Sequence, residues 1–204
     1  MDVDSTLITA EVIELLAAHA GSRAEVAAIT ESAMRGELDF AASLRARVAT
    51  LAGLPDTVFA QVLAEVELSP GARELVAELD RRGWPLALVS GGFVEVVGPL
   101  AASLGVTRYR ANALEVSDGV LTGRVTGEIV DRAVKARTLR ELATELGVPL
   151  DRTLAIGDGA NDLDMLATAG FGVAYNAKPV VRAQADAEVS GRLDAVLDLP
   201  AFAA

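Results

Sequence analysis

Two short apolar runs constrain this chain most, because each breaks off at a glycine-containing turn and then passes into a helical pattern. Residues 85–89 run into Ser90-Gly91-Gly92 and a helical stretch over 92–104. Residues 153–156 run into Gly157-Asp158-Gly159-Ala160-Asn161-Asp162 and a helical stretch over 161–169. Continuous apolar runs of this length suit strands buried on both faces. The surrounding pattern repeats the alternation: helix 70–82, helix 131–146 and strand 171–174. Segments 109–116 and 120–126 flank Ser117-Asp118-Gly119, a hairpin signal. The expectation is an α/β fold, a doubly wound, mostly parallel sheet with helices on both faces.

Residues 9–66 read differently, as helices with no convincing strand. A helix over 11–20 stops at Gly21, and Ser22 with Glu25 forms a capping box for a second that stops at Gly36. A third covers 39–51, and Leu54-Pro55-Asp56 opens a fourth. The predicted division is therefore an α/β core of residues 1–8 and 69–204 with a small helical bundle, 9–68, inserted as a cap. Ligands of open α/β sheets bind outside the carboxyl ends of the strands. An insertion leaving from that edge would lie over the site like a lid.

A chain of 204 residues can bury a substantial core. Its net charge of −11 is spread along the sequence, which argues against nucleic acid or an anionic membrane as the main partner. An anionic small substrate would need local positive charge, which draws attention to the only two lysines, Lys135 and Lys178. The absence of cysteine excludes disulfides, thiolate metal sites and a cysteine nucleophile, and cytoplasm is the expected location. No apolar run is long enough to span a bilayer.

The chain opens Met1-Asp2-Val3-Asp4-Ser5-Thr6. If it turns after Asp2, the two carboxylates take different roles: one attacks a phosphorus atom and the other protonates the leaving oxygen. In isolation the same residues read as a polar turn. Only Met1 precedes Asp2, so the first core strand reads as truncated, and a charged α-amino group beside Asp2 would perturb it. The Gly157–Asp162 loop gathers hard oxygen ligands of the kind Mg²⁺ prefers, where a helix N-terminus also favours an anion. Ser90-Gly91-Gly92 offers a hydroxyl and backbone N–H groups to phosphate oxygens. His19, the single histidine, falls on the apolar side of its helix and reads as core or capped. Trp84, Met34 and Met165 read as packing residues.

Taken in order, DVDST, SGG, a downstream lysine and GDGAND resemble the haloacid dehalogenase superfamily of phosphotransferases, and residues 9–68 resemble its small helical cap. Within it, AAITESAMRGELDFAASLRARVATLAGLP, LVSGGF, LTGRVTGEIVD and GDGANDLDMLATAGFGVAYNAKP are similar to the phosphoserine phosphatases. The resemblance implies that Asp2 is the nucleophile and an Mg²⁺ ligand. Asp4 is then the acid/base, with its backbone carbonyl on the metal, and Asp158 completes the protein ligands. Ser90, the Gly91 amide, Lys135 and Asn161 would bind phosphate, while Asp162 orients Lys135 and the metal's water shell. For the substrate it implies Glu11 on the ammonium, Arg47 on the carboxylate, and Met34 and Phe40 as an apolar wall. Phe40, Leu44 and Arg47 share one helix face. The implied activity is Mg²⁺-dependent hydrolysis of O-phospho-L-serine through an aspartyl-phosphate, the last step of serine biosynthesis. Another small phosphomonoester such as phosphohomoserine, an inactive phosphoserine-binding domain, and assembly as a homodimer remain open alternatives.

Overall fold

In the computed structural model, which describes residues 1–34 and 37–202, the N-terminal pattern condenses into helices α1 (Val12–Ala20), α2 (Arg23–Met34), α3 (Phe40–Ala49) and α4 (Val58–Glu65). Gly21 ends α1 in the left-handed region at φ 69, where its N–H satisfies the carbonyls of Ala17 and Ala18. Asp39 caps α3 by accepting from the Ala42 N–H at 2.7 Å. His19 departs from expectation: it is exposed, and its Nε2 lies 2.9 Å from Glu65 Oε1 on α4. The buried stripe of α1 is instead Val12, Ile13, Leu16 and Ala17, which leaves position 19 facing outward.

The remainder alternates as the sequence predicts. It forms α5 (Ala72–Arg81), β1 (Ala87–Phe93), α6 (Val94–Ser103), β2 (Arg108–Ser117), β3 (Val120–Thr126) and α7 (Arg132–Glu145). There follow β4 (Leu154–Gly157), α8 (Leu163–Thr168), β5 (Phe171–Tyr175), α9 (Pro179–Arg182) and β6 (Ala187–Val189). β1 pairs parallel with β2, and β2 turns into antiparallel β3 through Asp118 (φ 51) and Gly119 (φ 77). β4, β5 and β6 form a parallel set. β6 and α9 are three and four residues long, too short to leave a periodic signal.

The strands bury both faces, residue by residue. Leu88, Ile156 and Val173 join a core with Leu75 and Val76 of α5 and Val96 and Val97 of α6. Their neighbours Val89, Ala155 and Ala174 join a second core with Val134 of α7, Leu163 and Leu166 of α8 and Val181 of α9. Helices therefore cover both sides of the strands, as a doubly wound fold requires.

Two local expectations are corrected. Ser90-Gly91-Gly92 does not open a helix: it continues β1 as an irregular stretch whose register to β2 jumps between Val89 and Phe93, and α6 begins only at Val94. The strands also fall into two sets of three rather than one ladder. Met1 and Asp2 stand between the sets. The Met1 ammonium donates to Ala87 O at 2.8 Å, Val89 N–H donates to Met1 O at 2.9 Å, and Asp2 N–H donates to Ile156 O at 2.9 Å. Beside Met1 lies a cavity of about 650 Å³ lined by residues that include Leu86, Ala87, Leu154, Ile156 and Phe171. Burial there lowers the Met1 α-amino pKa to about 6.

Candidate active site

The chain doubles back immediately after Asp2. Thr6 and Ile8 both return their N–H groups to Val3 O, and Ser5 takes φ 56 to make the turn. That reversal separates the two aspartates. Asp2 stays at the strand end, where its Oδ1 accepts from Val3 N–H at 2.7 Å and lies 2.7 Å from Lys135 Nζ. Asp4 swings toward the helical segment, where its Oδ1 accepts from Val12 N–H, the first residue of α1, at 3.0 Å. Its Oδ2 accepts from Ser90 Oγ at 3.3 Å.

Lys135 is fully buried, delivered from the second turn of α7 after Asp131 caps that helix. Its Nζ lies 2.7 Å from Asp2 and 2.7 Å from Asp162 Oδ1. Burial lowers its pKa, but the carboxylates of Asp2 and Asp162 more than offset that and hold it above the ordinary value. The other oxygen of Asp162 accepts the N–H groups of Asp158 (3.2 Å) and Gly159 (3.0 Å), which shapes the acidic loop. Gly157 admits this arrangement, since a Cβ there would stand 2.5 Å from Asp162 Cγ.

One carboxylate oxygen from each of Asp2, Asp158 and Asp162 can be chosen within 4.8 Å of the others. Both oxygens of Asp162 already have protein partners, which leaves Asp2 and Asp158 as the better ligands. The carboxylates outnumber the positive charge. Burial, with Glu11 nearby, pushes Asp4 up to about 7; burial, with Asp162 nearby, pushes Asp158 up to about 6; burial, with Asp162 again, holds Asp2 well above its usual range. A cluster of hard oxygen donors short of positive charge fits a divalent cation such as Mg²⁺.

Phe40, Glu11 and Arg47, three of the residues expected to read the substrate, also converge here. The Phe40 ring approaches the irregular end of β1 so closely that a Cβ on Gly91 would lie 3.5 Å from its Cζ, and Asn161 Nδ2 would lie 3.9 Å from the same point. Glu11 Oε1 accepts from Ser5 Oγ at 2.6 Å. Arg47 is half-buried, and burial lowers its pKa while Glu11, Glu14 and Asp4 work against that. The side chain of Met34 lies outside the described residues. Three contributors carried no role in the sequence reading. Thr6 donates to Asp158 Oδ1 at 3.0 Å and ties the two acidic loops together; its place in the same run as Asp2 and Asp4 was the available signal. Ser5 orients Glu11. Asn112, on β2, gave no sequence signal.

A haloacid dehalogenase-like hydrolase family model matches residues 1–167. The chain belongs to that family. It is 62% identical over 98% of its length to a phosphoserine phosphatase of Streptomyces coelicolor, of which it covers 49%. It is 57% identical over 97% of its length to the phosphoserine phosphatase SerB2 of Mycobacterium tuberculosis, again covering 49%. The chain thus spans about half the length of these two curated relatives. Against a phosphoserine phosphatase of Streptococcus thermophilus the identity is 55%, covering 93% of this chain and 88% of the relative. A solved phosphoserine phosphatase with substrate bound superposes with a TM-score of 0.91 at 39% identity, covering 97% of this chain and 94% of that one. Another, carrying an analogue of the phospho-aspartyl intermediate, gives 0.90 at 40%, covering 97% and 95%.

Proposed function

We propose that this chain is a cytoplasmic, Mg²⁺-dependent phosphatase that releases L-serine and phosphate from O-phospho-L-serine, the last step of serine biosynthesis. The observation that carries the reading is the buried Lys135, 2.7 Å from Asp2, beside an Asp4 that feels the charges of Glu11 and Arg47. A phosphoryl-handling lysine and an amino-acid-reading pair thus meet at one acid/base. Among the described residues no helix is long and apolar enough to cross a membrane.

In this reading Asp2 attacks phosphorus while Ser90, the Gly91 amide, Asn161 and Lys135 hold the phosphoryl oxygens. Asp4, whose pKa of about 7 keeps a proton available, gives that proton to the seryl oxygen as the P–O bond breaks. Serine leaves, and Asp4 as a carboxylate then takes a proton from the water that attacks the aspartyl-phosphate. Phosphate is released and Asp2 is restored. Asp2, Asp158 and the Asp4 backbone carbonyl would hold Mg²⁺, which supplies charge neutralisation for the transferring group. Glu11 pairs with the substrate ammonium, Arg47 grips its carboxylate, and Phe40 covers the methylene. Residues 9–68 act as the cap that excludes water.

The test is phosphate release from O-phospho-L-serine with Mg²⁺, against Asp2→Asn as a blank and with phosphohomoserine as competitor. Release above the blank, with phosphoserine preferred, supports the reading. Release no greater than the blank overturns it, and preference for phosphohomoserine overturns the substrate.

A further inference from the structure

Asn112 lies outside every motif yet touches two of them. It is buried, 1% exposed, on β2. Its Nδ2 donates to Gly91 O at 2.7 Å, and its Oδ1 accepts from Val130 N–H at 2.8 Å. The two partners settle the orientation of the amide, since a carbonyl demands the N–H₂ end and an N–H demands the oxygen.

The first bond falls where the backbone provides no ladder. Pairing of β1 with β2 stops at Val89 and resumes at Phe93, so residues 90–92 are not held by regular sheet bonds. In a trans peptide the carbonyl of one residue and the N–H of the next point in opposite directions. Fixing Gly91 O on Asn112 therefore aims Gly92 N–H the other way, onto Ser90 Oγ at 2.8 Å. That hydroxyl, having accepted one proton, turns its own toward Asp4 Oδ2. The second bond holds Val130, directly before Asp131, the cap of the helix that carries Lys135.

We propose that Asn112 is a positioning residue, which fixes the Gly91–Gly92 peptide so that the Ser90 hydroxyl faces Asp4 and ties this loop to the base of the Lys135 helix. It touches neither substrate nor reacting atom, and acts through Gly91 and Val130. The catalytic part of this role rests on the phosphatase reading above.

Asn112→Asp separates the two bonds. It keeps an acceptor for Val130 but sets an oxygen against Gly91 O. With phosphoserine and Mg²⁺, kcat falls by about tenfold or more while KM stays within about threefold, because Glu11 and Arg47 are untouched. A second readout needs no substrate. By amide hydrogen exchange, Gly92 exchanges about tenfold faster or more in the variant, while the amides of α7 keep the parent rates. If Asn112→Asp does not fold, Asn112→Ser carries the same comparison. A parent that releases no phosphate, with Gly92 exchange accelerated in the variant, overturns the proposed function and leaves the positioning role standing. An active parent whose folded variant keeps kcat within about twofold and Gly92 exchange unchanged overturns the positioning role.

Discussion

Lys135 Nζ lies 2.7 Å from Asp2 Oδ1 with both side chains buried, and it bridges to Asp162 at the same distance on its other side. One cation thus compensates two carboxylates that stand 160 positions apart in the chain (162 − 2). Function and stability meet at this contact, because the group that would hold phosphate also pairs two buried carboxylates.

Lys135→Met should therefore cost both. Removing one partner of a buried pair leaves charge uncompensated, at about 3–5 kcal/mol. Urea unfolding checks this, with phosphate release expected to fall to the Asp2→Asn blank. A variant as stable as the parent sinks this account of the bridge.

Asp4 and Asp158 should each cost the metal-free protein stability as pH rises toward 7. Asp4 and Asp158 have folded-state pKa values raised to about 7 and about 6, from 3.8. The folded state binds more protons than the unfolded one, so their contribution is fully present below about pH 4 and is lost as pH climbs through 6 and 7. Thermal melts in EDTA across pH 5–8 would show the decline from these groups, and Asp4→Asn should flatten it. Saturating Mg²⁺ should restore stability at the upper end, because a ligand bound only by the folded state stabilises it.

Gly92→Ala tests the close approach of β1 to Asp4. A Cβ there would stand 2.6 Å from Asp4 Oδ2 and 3.0 Å from Ser90 Oγ. Overpacking costs about 1–3 kcal/mol, and displacing Asp4 should lower kcat by about tenfold or more. Steady-state kinetics beside a thermal melt separates the two effects; an unchanged kcat contradicts the predicted displacement.

Arg47→Ala should discriminate by substrate. A charge-assisted hydrogen bond contributes about 1.5–3 kcal/mol, so kcat/KM for phosphoserine should fall by about 10- to 100-fold. Hydrolysis of p-nitrophenyl phosphate, which has no amino-acid carboxylate, should change little. Equal losses on both would show that Arg47 serves the fold and not the substrate.

Much of this was legible in the sequence. The strands begun by the apolar runs 85–89 and 153–156, the hairpin at Asp118-Gly119 and the cap of α7 follow from apolar runs and turn residues, which act over a few positions. The acidic loop after 153–156 was legible for the same reason. Less local features were not. His19 sits on a helix whose apolar stripe is wide enough to include it, and only the packing of α1 shows that the stripe stops short. Ser90-Gly91-Gly92 carries every mark of a helix start, but the sheet keeps it extended as far as Phe93.

By itself the sequence determined the order of the longer strands and helices and which carboxylates and lysine stand at the ends of which elements, because these depend on neighbours within a few residues, where side-chain type dictates backbone preference. The family followed from the order of the motifs along the chain. Tertiary structure alone decided that Lys135 reaches Asp2 as well as the Asp162 that the resemblance implied, that Ser5 holds Glu11, and that Asn112 joins Gly91 to Val130. A buried polar group must find its partner wherever the fold provides one. For Asn112 the partners lie 21 and 18 positions away, beyond the reach of any local pattern.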